Sequence, residues 1–472
     1  MTTSIKEKRK LLSWVRGLVF ALFFCFCLPV VLSCEDDYST ERQKTVLQMW
    51  IMPNSLDPEA DMDRILRNFE LENPGIKVEV TVLDWSVAWT KITTAATTSN
   101  GPDILQMPTT WAASVTQMGA LLSLDSLLEL AGGDSVFVPS AMRFARPIGS
   151  DSVTSFPWFL DVRPLYFRRD VLAQIGVKST DIVTWNDLKK TLKKIQQAKL
   201  VIEGIPVEPI GYPGKHDWNV IHNFAPWIWG AGGDFLDSTA TRSTIADSAS
   251  IAGIMFYLDL VRMGYNNRRN LGKNTSQVSS DFDEGRFAFW FDATNKTIYL
   301  DSPRFLGGQA KSVTARNYSC MLPPSSPKGN EPWYFAGGSN LSIFRFTQHK
   351  RESKALLRYL TTRADVQLSM SRTTGFLPAL NVTYEYPFFK EDEKRQIFQQ
   401  MAMHSKSYPA VHYWGEIETD ILLRRFGNIF DLITASPSDQ WPEKAIIAEI
   451  QAADREINHY IKRQHGTAFH EN

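Results

Sequence analysis

Short alternating runs of apolar and polar residues exchange with helical periods along most of the chain. The run TVLQMW (45–50) predicts a strand, and PEADMDRILRNFELENPG (58–75) predicts a helix. Pro58 suits the first helical position, Ile65, Leu66 and Phe69 form one apolar stripe, and Asn73-Pro74-Gly75 stops the helix. IKVEVTVL (76–83) alternates as a half-buried strand does. A second helix is expected from about Ser86, and GPDILQM (101–107) turns into a third strand. Strand and helix in this succession predict right-handed crossovers and a parallel sheet.

The pattern then recurs. PLYFRRDVLAQIG gives a strand and a short helix, and TWNDLKKTLKKIQQAK opens with a capping box from Thr184 to Asp187. SASIAGIMFYLDLVRMG (248–264) is amphipathic, RFAFWF (286–291) and LSIFRF (341–346) are expected strands, and RESKALLRYLTT (351–362) is an expected helix. From about residue 391 the chain is mostly helical, with Ile446, Ile450, Ile457 and Ile461 on one face near the end. The fold class read from this order is α/β. About 440 residues beyond the leader exceed a single hydrophobic core and imply two lobes.

Charge enters first at the N-terminus. Lys6, Lys8, Arg9 and Lys10 precede an uncharged run from Gly17 to Ser33, the layout of a secretory signal peptide. VLSC ends that run and resembles the bacterial lipobox, with Leu32 where Ala or Ser is commoner. The resemblance makes Cys34 a lipidation site and residues 34–44 a solvated tether; an ordinary apolar segment with a chance cysteine is the alternative. Of four cysteines, cleavage removes Cys25 and Cys27 and lipidation occupies Cys34, which leaves Cys320 alone and excludes a disulfide scaffold; with Cys34 free, a bridge to Cys320 is the competing use of both thiols. The whole chain carries 51 basic and 51 acidic residues; without residues 1–33 it carries 46 and 50. No basic patch points to nucleic acid.

Chemical motifs are mostly missing. The eight histidines form no HExxH, WGAGGDF lacks the spacing of a dinucleotide turn, and there is no Walker lysine or G-x-S-x-G elbow. No cofactor or metal is expected. Tryptophan is abundant, with fourteen in all. Indole faces stack on the C–H patches of sugars while carboxylates and amides take the hydroxyl protons, so a cleft of Trp, Asp and Asn suits carbohydrate. Packing between helix and sheet is the alternative, and the better account of Trp89, Trp185 and Trp441. Trp227 and Trp229 are likewise expected to pack their helix against the sheet, while Trp85 and Trp158 are reserve cleft candidates.

Several segments in order carry a resemblance over about residues 46–435. They are NGPDILQMPTTWAASVTQMGALLSLDSLL, FPWFLDVRPLYFRRDVLAQIGV, WGAGGDF, DEGRFAFWF, WYFAGGSNLSIFRFTQHKRESKALLRYLTT and TTGFLPAL. Together they resemble the extracellular solute-binding proteins of ABC importers, the family of the maltose-binding protein. Arg168 departs from that pattern, standing where Asn is usual. The resemblance implies two α/β lobes joined by crossing strands, hinge closure on a ligand, and no catalysis. It implies a first lobe of 45–160 plus 292–341 and a second of 161–291 plus 342–472. It also implies, by local match, ligand contacts from Asn54, Trp111, Asp161, His222, Asp292, Trp333 and Trp414. Each has a structural alternative: Asn54 as a helix cap, Asp161 and Asp292 as helix-cap or hinge carboxylates, His222 as a satisfied core histidine, and the tryptophans as packing.

The expected partners are a sugar or oligosaccharide, ABC permease subunits and a bacterial membrane reached through Cys34, for a protein acting as a monomer at the extracytoplasmic face. The rival functions are a binder of a polyol phosphate or peptide, a lipid-anchored glycoside hydrolase, and an adhesin with this fold. For the first of these rivals Arg163 is a candidate cation.

Overall fold

The computed structural model describes residues 44–467 except 215, 216, 218, 327, 328 and 331. The expected leader, Cys34 and the tether as far as residue 43 lie outside the described residues. The first strand β1 (Thr45–Ile51) leads to helix α1 (Pro58–Glu72), whose N-cap is Asp57; its carboxylate accepts from the Ala60 N–H at 3.2 Å. The cap is therefore not Asn54. Next come β2 (Ile76–Val82), α2 (Trp85–Thr98), β3 (Ile104–Pro108) and α3 (Thr109–Gln117). Strand β4 (Phe156–Val162) is followed after two residues by β5 (Leu165–Arg168).

Helix α4 (Trp185–Ala198) forms as its sequence dictates. Thr184 Oγ1 accepts from the Asp187 N–H and the Asp187 carboxylate accepts from the Thr184 N–H, while Leu188, Leu192 and Ile195 are fully buried along one stripe. Burial of each such side chain contributes about 1.5–3 kcal/mol. A hairpin, β6 (Val201–Ile202) and β7 (Ile205–Pro206), precedes β8 (Glu208–Gly211), α5 (Asn219–Gly230) and α6 (Ser248–Arg262). Strand β9 (Phe287–Phe291) is buried at every position, as a strand covered on both faces must be.

The remainder includes β10 (Tyr318–Met321), β11 (Tyr334–Ile343), α7 (Lys350–Thr362), α8 (Ala364–Thr374), β12 (Leu377–Pro378), β13 (Ser405–Lys406), α9 (Leu423–Ala435) and α10 (Glu443–Thr467). Among the described residues no helix is long and apolar enough to cross a membrane.

The strands form two main sheets. One has the order β12-β4-β11-β3-β1-β2 with β13 paired to β11, and the other has the order β10-β5-β9-β8. β1 and β3 are parallel, as the crossover pattern predicts, but β11 runs antiparallel to both β3 and β4. Both sheets are therefore mixed. The chain leaves the first sheet between β4 and β5 and returns between β10 and β11.

These pairings divide the chain otherwise than the expected lobes do. β10, expected in the first lobe, pairs with β5 of the second sheet. β12, expected in the second lobe, pairs with β4 of the first sheet, and Gln367 of α8 donates to the Trp158 carbonyl of the same strand.

β11 also begins seven residues before the expected strand. Gly337-Gly338 reads as an interruption, yet the strand runs through it with a register shift at Ser339/Asn340. Gly338 has φ +133°, and a Cβ there would lie 2.1 Å from the Phe159 carbonyl oxygen, so only glycine lets β11 approach β4 so closely. Arg168, the departure from the family pattern, is wholly buried; its guanidinium binds the Asp170 carboxylate and donates to the Gly285 carbonyl, tying β5 to the turn before β9.

Candidate binding cleft

A cleft of about 220 Å³ opens where the two sheets meet. Four of the seven expected ligand residues line it: Asn54, Asp161, His222 and Asp292. Asn54 lies just past β1 and is held by a reciprocal amide pair. Its Nδ2 donates to Gln106 Oε1 at 2.8 Å, and Gln106 Nε2 donates to Asn54 Oδ1 at 3.0 Å and to Ser339 Oγ at 2.9 Å. Gln106 is the one polar side chain within the apolar run of β3, a signal that the sequence carried and the motif reading passed over.

β4 supplies the centre of the cleft. A strand turns alternate side chains to one face, so Phe159, Asp161 and Arg163 point together, and all three line the cavity. Arg163 Nη2 donates to Asn219 Oδ1 at 2.7 Å and lies 3.5 Å from Asp161 Oδ2. Asp161 Oδ1 and Arg163 Nε make no hydrogen bond within the described protein. Burial pushes the Asp161 carboxyl up to about 6; the Arg163 charge acts against that shift and the nearby Asp292 charge adds to it. Asp292 is better held, accepting from Trp290 Nε1 at 3.0 Å and from the Ala293 N–H at 2.8 Å.

His222, on α5, stacks on Phe335 of β11 at 4.5 Å, and its Nδ1 lies 2.7 Å from the Tyr408 hydroxyl. Burial, with the Arg163 charge beside it, holds the imidazole well below its ordinary pKa, so the ring is neutral.

The apolar lining comes mainly from phenylalanine. Phe159 and Phe376 stack at 4.6 Å with 11° between their planes, and Phe335 and Trp85 complete the aromatic walls. The three expected tryptophans are not among the lining residues. Trp111 stands behind Trp85, its ring edge-on at 6.3 Å. Trp333 is 42% exposed, with Lys406 Nζ 5.8 Å from its ring centroid. Trp414 is 1% exposed and stacks on Tyr408 at 4.5 Å, deep behind His222. Aromatic neighbours cover the rings of Trp111, within α3, and of Trp414, whereas Trp333 stands exposed beside Lys406. Of the reserve pair, Trp85 lines the cleft and Trp158 is buried in the core. Trp227 and Trp229 are packed as expected.

Among the described residues no group of three His, Cys, Asp or Glu side chains is placed to hold a metal, and Cys320 is a buried free thiol. The arrangement offers hydrogen-bond acceptors and donors in fixed directions between aromatic faces.

Comparison with known proteins bears on what that arrangement serves. The family model described as "Bacterial extracellular solute-binding protein" matches residues 53–367. The diacetylchitobiose binding protein DasA of Streptomyces coelicolor is 22% identical over 425 residues, covering 86% of this chain and 91% of that protein. Maltose-bound MalE3 of T. maritima superposes with a TM-score of 0.73 at 20% identity, covering 88% of this chain and all of that one. UgpB of Mycobacterium tuberculosis, in complex with glycerophosphocholine, superposes with a TM-score of 0.71 at 16% identity over 89% and 99% of the two chains. At these identities the superpositions establish the two-lobe fold.

Proposed function

The chain belongs to the bacterial extracellular solute-binding proteins, and from that premise we propose that it captures a short sugar in the cleft and delivers it to the permease of an ABC importer. The observation that carries the reading is the composition of one face of β4 and its neighbours. Asp161 and Arg163 offer polar atoms that make no hydrogen bond within the described protein, flanked by the amide of Asn54 and the faces of Phe159, Phe335 and Trp85. A pyranose presents C–H patches to such faces and hydroxyls to such polar groups. The cavity of about 220 Å³ falls below the roughly 300–1,000 Å³ of sites for drug-sized ligands, which favours one or two sugar rings over a long oligosaccharide. Similarity to proteins whose ligands are maltose and diacetylchitobiose supports the same class.

Asn54, Asp161, His222 and Asp292 are the proposed ligand contacts from the sequence, joined by Phe159, Arg163, Asn219 and Phe335. The protein acts outside the cytoplasm as a monomer, with Cys34 as its lipid attachment point. Several acyl chains are needed for stable anchoring, because one holds only marginally. A phosphorylated polyol is the second reading, favoured by the buried Arg163 and by the glycerophosphocholine complex of a structural relative. Asp161 and Asp292 in the same cleft count against it, since they leave the three charges with a net negative sign.

Thermal melting of the purified protein against mono- and disaccharides, longer oligosaccharides and polyol phosphates separates these readings. A ligand at a hundred times its Kd adds about 2.7 kcal/mol and several degrees. A shift from a short sugar supports the proposal, and a shift from polyol phosphates alone overturns the sugar class. Chromatography of the same mixtures tests for hydrolysis: cleavage of an oligosaccharide would make the protein an enzyme and sink the transport reading.

A further inference from the structure

Behind the cleft lies a buried chain of groups that the ligand reading does not use. Tyr408 follows β13 in the segment Ser407–Trp414 that joins the strand to the C-terminal helices. Its hydroxyl has one hydrogen-bond partner among the described residues, His222 Nδ1 at 2.7 Å. Glu418 lies in a π-helical turn, Ile417–Leu422, a rare backbone form that recurs at functional sites. Its Oε1 is 3.6 Å from the same His222 nitrogen and makes no hydrogen bond. All three residues are at most 5% exposed. The groups facing them are Arg163 from the β4–β5 crossing and Trp414, which stacks on Tyr408.

We infer that Tyr408 is a positioning residue that keeps the hydrogen of the His222 ring on Nε2, so that at this nitrogen the histidine donates and does not accept, and that a neutral Glu418 permits this. A phenol carries one hydrogen, and with no other acceptor beside it that hydrogen goes to Nδ1. Nδ1 is then an acceptor, and the neutral ring has its own hydrogen on Nε2. Glu418 would compete for a hydrogen on Nδ1 only as a carboxylate. Burial raises its carboxyl to about 8, so it is mostly protonated at neutral pH and gives Nδ1 no reason to carry one. His222 and Glu418 therefore form no ion pair at neutral pH despite their proximity.

The consequence for ligand choice rests on the solute-binding reading above. A ligand group that meets His222 Nε2 must bring an acceptor: a hydroxyl or ring oxygen, or a carbonyl, but not an ammonium.

The test needs no ligand. In full-length protein with nitrogen-15-labelled histidine, long-range proton–nitrogen NMR distinguishes the two neutral forms, and the signal missing from His222→Gln assigns the ring. At pH 6.5–7 the expected pattern has a bare Nδ1 and a protonated Nε2. As pH rises through about 8, ionising Glu418 should draw the hydrogen to Nδ1. Glu418→Gln should keep the neutral-pH pattern and remove that transition, while Tyr408→Phe should raise the Nδ1–H share.

A wild-type ring with its hydrogen on Nδ1 at neutral pH overturns the inference. So does a pH transition that survives in Glu418→Gln. If Tyr408→Phe does not fold, the wild-type and Glu418→Gln spectra still decide. Failure of the sugar reading would appear instead as silence in the melting panel, with the ring spectrum unchanged.

Discussion

Asp161 Oδ2 lies 3.5 Å from Arg163 Nη2, a long ion pair, while the same guanidinium nitrogen sits 2.7 Å from Asn219. The carboxylate in the cleft is thus only partly compensated, and its raised pKa of about 6 follows from burial.

That relationship predicts opposed pH dependences. An ordinary aspartate carboxyl titrates at 3.8, so between about pH 4 and 6 the folded protein holds a proton on Asp161 that the unfolded chain has lost. This contribution to stability is present at low pH and is lost as pH rises through 6, on the order of 3 kcal/mol in all. Sugar affinity should move the other way, because ligand hydroxyls donate best to the ionised form. The stability difference between wild type and Asp161→Asn, measured by urea unfolding from pH 4 to 7, should change along this curve. A constant difference refutes it.

Gly338→Ala should be severely destabilising. The new Cβ would meet the Phe159 carbonyl oxygen at 2.1 Å in a backbone of φ +133°, and neither β4 nor β11 can shift without disturbing the sheet. A loss of about 2 kcal/mol or more is expected from strained backbone and a steric clash, read from the denaturation midpoint. Gly75→Ala is the control, since nothing lies within 4 Å of its Cβ position.

The tryptophans divide by burial. Trp414→Ala removes a ring that is 1% exposed and should cost about 3–5 kcal/mol of stability. Trp333→Ala removes a ring that is 42% exposed and should cost under about 1 kcal/mol. Melting of the two variants side by side checks the contrast, and equal losses would contradict it.

Trp85→Ala should leave the fold nearly unchanged, the ring being 39% exposed, yet weaken sugar binding by a factor of about 2–12, the equivalent of 0.5–1.5 kcal/mol of stacking. Calorimetric titration with the sugar that melting identifies gives the factor. An unaltered Kd would remove Trp85 from the site.

What the sequence by itself determined was local. Period and capping residues placed α1, α4 and β9 within a few residues, because stripes such as Leu188-Leu192-Ile195 bury only one way and Thr184 with Asp187 closes its own helix start. The order of segments also revealed the family and brought Asn54, Asp161, His222 and Asp292 to one cleft. Pairing was decided by tertiary structure. Nothing local says that β11 must run through two glycines to lie against β4, or that β10 joins β5, since those contacts link residues far apart in the chain. The aromatic lining followed the same logic. Tryptophan and phenylalanine stack alike, and which ring faces the ligand depends on what covers its other side. Neighbours bury Trp414 and leave Phe159, Phe335 and Phe376 along the cleft, a choice made by packing.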